Sequence, residues 1–152
     1  MHGRVLYLRN RAQAPSAGTP GIGRPLDVVV LYTNPAVTAY ALTASSELAR
    51  DLESSITLMA VHVLPYPSPL ETQEGVRQRL ETDLKTLART SPAEIRAKLV
   101  FARDRTDACL GLLRRRSMVV IGTRKHWWRT REERLARRLA AHGHSVALIR
   151  VE

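Results

Sequence analysis

The chain has 152 residues, 44% of them hydrophobic, enough for one globular domain that buries roughly two-thirds of its unfolded surface. With 24 Lys and Arg against 14 Asp and Glu the formal charge is +10; the arginines are scattered over several segments, which reads as a solvated basic surface, with affinity for polyanions the alternative. A single cysteine, Cys109, excludes an intramolecular disulfide, and no apolar run approaches the ~20 residues that cross a bilayer, so a cytoplasmic protein with no membrane partner is expected.

Residues 1–25 differ from the rest. Val5-Leu6-Tyr7-Leu8 has the composition of a short extra strand, but Ala12 through Pro25 is rich in Ala, Pro, Gly and Ser. Such a composition buries too little surface to offset its ordering entropy, so 1–25 is expected to be a flexible extension. The apolar run at the start is four residues, short of a signal-peptide core. Gly18, Gly21 and Gly23 precede the first regular strand instead of following it, which is the wrong order for a phosphate loop.

Residues 26–152 form the expected domain. Asp27 to Tyr32 is a β-branched run without alternation, as in a strand covered on both faces. Asn34-Pro35 supplies an N-cap and a proline at the first helical position, and the helix continues to about Leu52. Ile56 to Leu64 is the second strand. Ser68-Pro69-Leu70-Glu71 is a capping box for a helix that ends before Ser91-Pro92. Lys98 to Ala102 is the third strand, and Thr106-Asp107 opens a short helix through Leu113. Ser117 to Gly122 is a buried strand that stops on a glycine; Thr130-Arg131-Glu132-Glu133 caps a last helix, Gly143 closes it, and Val146 to Val151 is the final strand.

Strands alternating with helices give the fold class: α/β, a single doubly wound domain with a five-stranded parallel sheet and four helices. Ligands on such sheets bind beyond the carboxyl ends of the strands at the topological switch point. That places the candidate site at the Tyr32-Thr33-Asn34 turn and the loop from Gly122 to Arg131.

The strand Val28 to Tyr32, the ending Val61-His62-Val63, the segment Val119-Val120-Ile121-Gly122-Thr123-Arg124 and the closing Ser145 to Val151 follow one another in an order that resembles the universal stress protein family. The resemblance covers residues 26–151. It implies an adenine-nucleotide site whose aspartate, at the end of the first strand, is replaced here by Thr33. It also implies a loop with a glycine, two residues, a second glycine, nine residues, then glycine and serine or threonine. Counting forward from Gly122, the later places hold Lys125, Leu135 and Ala136; counting back from the last strand, the terminal pair is Glu132 and Glu133.

No glycine occurs between Gly122 and Gly143, and two glutamates in a helix's first turn repel phosphates that its N-terminus otherwise attracts. Standard ATP binding is therefore disfavoured and no cofactor is expected. The candidate ligand contacts are Thr33, Asn34, Val63, Gly122, Thr123, Arg124, Lys125, Trp127 and Arg131. The resemblance also implies a homodimer joined along Val146, Ala147, Leu148, Ile149, Arg150 and Val151, an apolar edge that invites pairing.

Trp127 and Trp128 are expected to fold over the vacated cleft or to enter a subunit contact, with base stacking the alternative. His62 is expected in the core, His142 and His144 at a helix end where the dipole favours cations, and Cys109 packed. No catalytic constellation and no metal site stands out, so an enzyme is not expected. The leading expectation is a regulatory or scaffolding module with protein partners; a variant nucleotide binder using Thr33, Gly122, Thr123 and the arginines comes second, and a nucleic-acid binder using Arg114-Arg115-Arg116 and the loop from Arg124 to Arg131 third.

Overall fold

The computed structural model describes the backbone of residues 3–8 and the whole of 27–66, 73–114 and 117–152. In chain order its elements are β1 (Gly3–Leu8), β2 (Val28–Leu31), α1 (Pro35–Asp51), β3 (Ile56–Val63), α2 (Glu74–Thr90), β4 (Ile95–Ala102), α3 (Arg105–Leu112), β5 (Met118–Arg124), α4 (Arg131–Ala141) and β6 (Ser145–Val151). They form one sheet in the order β1-β6-β5-β2-β3-β4. The five strands from β2 to β6 are parallel, in the doubly wound arrangement expected.

The pattern of β2 explains both layers. Val28 and Val30 point to one face and pack with Ala41 and Leu42 of α1 and Leu84 of α2. Val29 and Leu31 point to the other and pack with Cys109 of α3 and Leu135 and Leu139 of α4. All four β2 side chains are buried, as a strand without alternation requires. Helices α1 and α4 start where their caps dictate. The Asn34 side chain accepts the Val37 amide at 3.0 Å ahead of Pro35, and Thr130 Oγ1 accepts the Glu133 amide at 3.2 Å. Gly143, at φ 93°, lets the chain leave α4 so that the His144 amide donates to the Leu139 carbonyl at 3.1 Å.

Several boundaries move. The third parallel strand begins at Ile95 rather than Lys98, because β4 pairs with β3 over its full length, Ile56 with Ile95 through Val63 with Ala102. The short helix begins one turn-position earlier, at Arg105, because Asp104 Oδ1 accepts the Asp107 amide at 2.8 Å. Strand β5 runs past Gly122, since Thr123 and Arg124 stay paired with Arg150 and Val151. The capping box at Ser68 to Glu71 lies outside the described residues, as do Arg115, Arg116 and 9–26.

The largest departure is at the sheet edge. Gly3 to Leu8, assigned with the flexible extension, pairs antiparallel with β6 in the register Gly3 to Val151 through Leu8 to Val146. The Val146–Val151 edge expected to meet a second copy is thus hydrogen-bonded within the chain. A contact along β6 itself requires that β1 be displaced.

Candidate functional site

Strand β2 lies between β5 and β3, so successive connections leave it in opposite directions and the switch point falls at its carboxyl end. Two adjoining cavities open there and share Thr33 and Glu132. The larger, about 500 Å³, lies between the ends of β2 and β3, the starts of α3 and α4, and Leu80 of α2. The smaller, about 220 Å³, lies between the Thr33-Asn34 turn and the end of β5.

The smaller cavity holds five of the expected contacts: Thr33, Asn34, Gly122, Thr123 and Arg124. Most of them are already engaged in structure. Asn34 is committed to capping α1. Thr123 is buried, its hydroxyl 3.0 Å from that of Thr130. A Cβ placed on Gly122 would meet Val37 Cγ1 at 2.5 Å, so the glycine admits helix α1 against β5. The Thr33 amide donates to Thr38 Oγ1 at 3.1 Å, while its own Oγ1 is buried without a partner beside both cavities.

Val63 and Arg131 line the larger cavity. Lys125 and Trp127 line neither: Lys125 pairs with Glu152 at 3.2 Å, and Trp127 and Trp128 are 92% and 79% exposed. The indoles therefore do not fold over the cleft, although His126 and Thr130 of the same loop, residues 125–130 between β5 and α4, line the smaller cavity. His62 is not in the core either. It is half-buried on the cavity wall, edge-on to Phe101 with ring centroids 5.6 Å apart.

The larger cavity is strongly cationic. Arg103 and Arg105 enter from the β4–α3 side, and Arg131, Arg134 and Arg138 from α4. The first two are braced by backbone: Arg103 donates to the Pro65 carbonyl at 3.0 Å and lies over the Tyr66 ring at 4.2 Å, and Arg105 donates to the Tyr32 carbonyl at 3.3 Å. Among the described residues no hydrogen bond or ion pair engages the side chains of Arg131, Arg134 or Arg138. Two acids line the cavity, and one of them, Asp104, is committed to its cap.

Tyr32 closes the inner wall, its hydroxyl donating to Asp83 at 3.1 Å; burial first, then Asp83, pushes its pKa up to about 12. The helix start carries less negative charge toward the site than its two glutamates suggest. Glu133 is buried and paired with Arg150 of β6 at 3.1 Å, so of the two glutamates only Glu132 lines the cavities. The helix also fixes the count along the loop: α4 begins at Arg131, so Leu135 and Ala136 are buried in its second turn and only the count back from β6 meets the helix start.

Sequence reasoning missed His62, Arg103, Arg105, Arg134 and Arg138 as site residues. The spacing of Arg131, Arg134 and Arg138, three and then four residues apart, was a visible signal of one helix face. At the other end of α4, His142 Nδ1 lies 2.8 Å from the Arg138 carbonyl, as a helix-end histidine should. His144 instead is buried; burial, then its neighbour His142, holds its pKa below the ordinary value, so it is not a cation serving the dipole. Cys109 is fully buried and its thiol is pushed up by that burial, which leaves it packed and unreactive. Among the described residues no three His, Cys, Asp or Glu side chains gather as metal ligands, and no helix is long and apolar enough to cross a membrane.

No protein-family model matches the sequence, and no curated protein is significantly similar to it. Solved structures do match. A universal stress protein family member from Burkholderia pseudomallei superposes with a TM-score of 0.57 at 19% identity, over 82% of this chain and 95% of its own. A universal stress protein from Archaeoglobus fulgidus gives 0.58 at 18%, over 82% and 93%. A universal stress protein in complex with cAMP gives 0.51 at 10%, over 84% and 97%. The described sheet order, the four helices and these superpositions together give the chain the fold of the universal stress proteins.

Proposed function

We propose that this chain is a regulatory module of universal stress protein type that binds, without turning over, a small phosphate-bearing ligand of the nucleotide class. The observation that carries this is the cavity of about 500 Å³ at the switch point, lined by five arginines of which three have no partner among the described residues. Arginine grips phosphate bidentately and keeps its charge at any ordinary pH. The phosphate would rest on Arg131, Arg134 and Arg138, in place of the backbone amides of a glycine loop. Tyr32, Thr33, His62 and Val63 would meet the rest of the ligand. The cAMP complex among the structural neighbours shows the fold holding a nucleotide with one phosphate, which suits a site that lacks the polyphosphate loop.

This reading takes the scaffolding expectation and gives it a ligand. It keeps cytoplasmic residence, on the strength of the single cysteine, and the homodimer, with the contact moved to the outer edge of β1 because β6 is already paired. Sedimentation at micromolar concentration tests the dimer.

Titration calorimetry with cAMP, AMP, ADP and ATP tests the ligand. Saturable micromolar binding, weakened at least tenfold in Arg134→Ala/Arg138→Ala, is the expected result. Absence of heat for all four at millimolar concentration refutes a nucleotide-class ligand and returns the protein to the scaffolding reading.

A further inference from the structure

The loop of residues 125–130 carries both tryptophans of the chain, side by side and largely open to solvent. Exposed cations flank them in the chain: Arg124 and Arg129, and Lys125, which shares its charge with the exposed Glu152. Seven of the chain's 24 Lys and Arg residues fall between Arg124 and Arg138. Of the two glutamates in that stretch, Glu133 is buried against Arg150. Neither the larger nor the smaller cavity is lined by an indole, so the site described above does not account for them.

We propose that this loop docks on the surface of an anionic phospholipid bilayer, with Trp127 and Trp128 entering the headgroup–acyl boundary and the flanking cations meeting lipid phosphates. Tryptophan settles at that boundary because its ring is apolar while its N–H still finds a polar partner, and basic residues beside it add attraction to an anionic leaflet. The sequence predicts no membrane partner because nothing in it spans a bilayer; surface docking needs no span.

Shape and charge separate this occupant from the alternatives. A second copy of the chain, docked here about a two-fold axis, would bring the same exposed cations, Arg124, Lys125 and Arg129, against themselves. A nucleic-acid strand is held in a basic groove that tracks its backbone. Here the indoles project from a loop with little protein around them, a form that a fluid surface can enclose from every side.

Because Trp127 and Trp128 are the only tryptophans, intrinsic emission reports on this loop alone. The full chain is titrated with vesicles of phosphatidylcholine, then of phosphatidylcholine with phosphatidylglycerol, and partition is followed by co-sedimentation. Binding to the anionic vesicles only, a blue shift, and quenching by brominated acyl chains are expected. Trp127→Ala/Trp128→Ala, both exposed and harmless to folding, should weaken partition at least tenfold. Lys125→Gln and Arg129→Gln should each weaken it roughly fivefold.

The proposal is overturned by failure to sediment with anionic vesicles at low salt, by partition that the double tryptophan variant leaves unchanged, or by sedimentation without acyl-chain quenching. It is equally overturned if a single-stranded oligonucleotide shifts the emission and vesicles do not, or if the blue shift follows protein concentration without vesicles. The first of those assigns the loop to nucleic acid, and the second to self-association.

Discussion

Gly122 of β5 and Val37 of α1 meet so closely that only a hydrogen fits between them: a Cβ on Gly122 would lie 2.5 Å from Val37 Cγ1 and 3.2 Å from the Val37 carbonyl oxygen. The residue that most suggests a phosphate loop is thus held in place by packing. Gly122→Ala should cost about 1–3 kcal/mol in urea denaturation, as overpacking does. Ligand affinity of the folded fraction should change less than it does on removing arginines from α4. A variant of wild-type stability that has lost only ligand affinity would instead give the glycine a ligand role.

Glu133 and Arg150 tie α4 to β6 through a pair 3.1 Å apart, with Glu133 buried and Arg150 partly open to solvent. Removing one partner of a fully buried pair costs several kcal/mol; exposure of Arg150 reduces that. Glu133→Ala should therefore destabilise by about 1–2 kcal/mol, and Glu133→Gln by less, since the amide oxygen can still accept. Equal stability of all three proteins in urea would show that the pair does not hold the helix.

His144 makes stability depend on pH. Its folded pKa lies below the unfolded 6.5, chiefly through burial and then through His142, so the unfolded chain binds the proton more readily. The contribution is fully present above pH 6.5 and is lost as pH falls below it. The melting temperature should drop on acidification from neutral pH, and His144→Gln should drop less over the same window. Parallel curves for the two proteins would mean that His144 titrates alike in both states.

The Tyr32 hydroxyl joins β2 to α2 through Asp83, at 3.1 Å. Tyr32→Phe leaves the ring and removes one partly buried hydrogen bond, so a loss of about 1 kcal/mol is expected. Because the folded pKa is raised to about 12 from 10.0, this contribution is whole below pH 10 and fades as pH approaches 12. Urea denaturation of both proteins, with the difference measured at neutral pH and near pH 11, checks sign and window together.

The fold was legible because burial on both faces writes itself into β2 as an unbroken apolar run, and because Asn34-Pro35 and Thr130 act locally on the helices they start. The strand Gly3–Leu8 was visible only as four apolar residues; its place on β6 is a contact between chain ends, which no local pattern encodes. The site was half legible. The switch point fixed the end of the sheet and named Thr33, but reasoning from the glycine loop put the ligand beside Gly122. The arginines that line the larger cavity come from two segments far apart in the chain, and Arg103 and Arg105 converge with Arg134 and Arg138 only once α3 and α4 start side by side. Glu133 misled for a related reason, since its partner Arg150 lies on another element.

The proposed phosphate-bearing ligand rests on Arg131, Arg134 and Arg138 of α4, beside Arg103 and Arg105 and away from the loop after β5. Backbone amide resonances followed by NMR during a nucleotide titration locate it directly. The amides of Arg103 to Thr106 and Arg131 to Arg138 should move most, with those of Gly122 to Arg129 moving little. Shifts concentrated at Gly122 to Arg129, with the arginine segments unmoved, would contradict it.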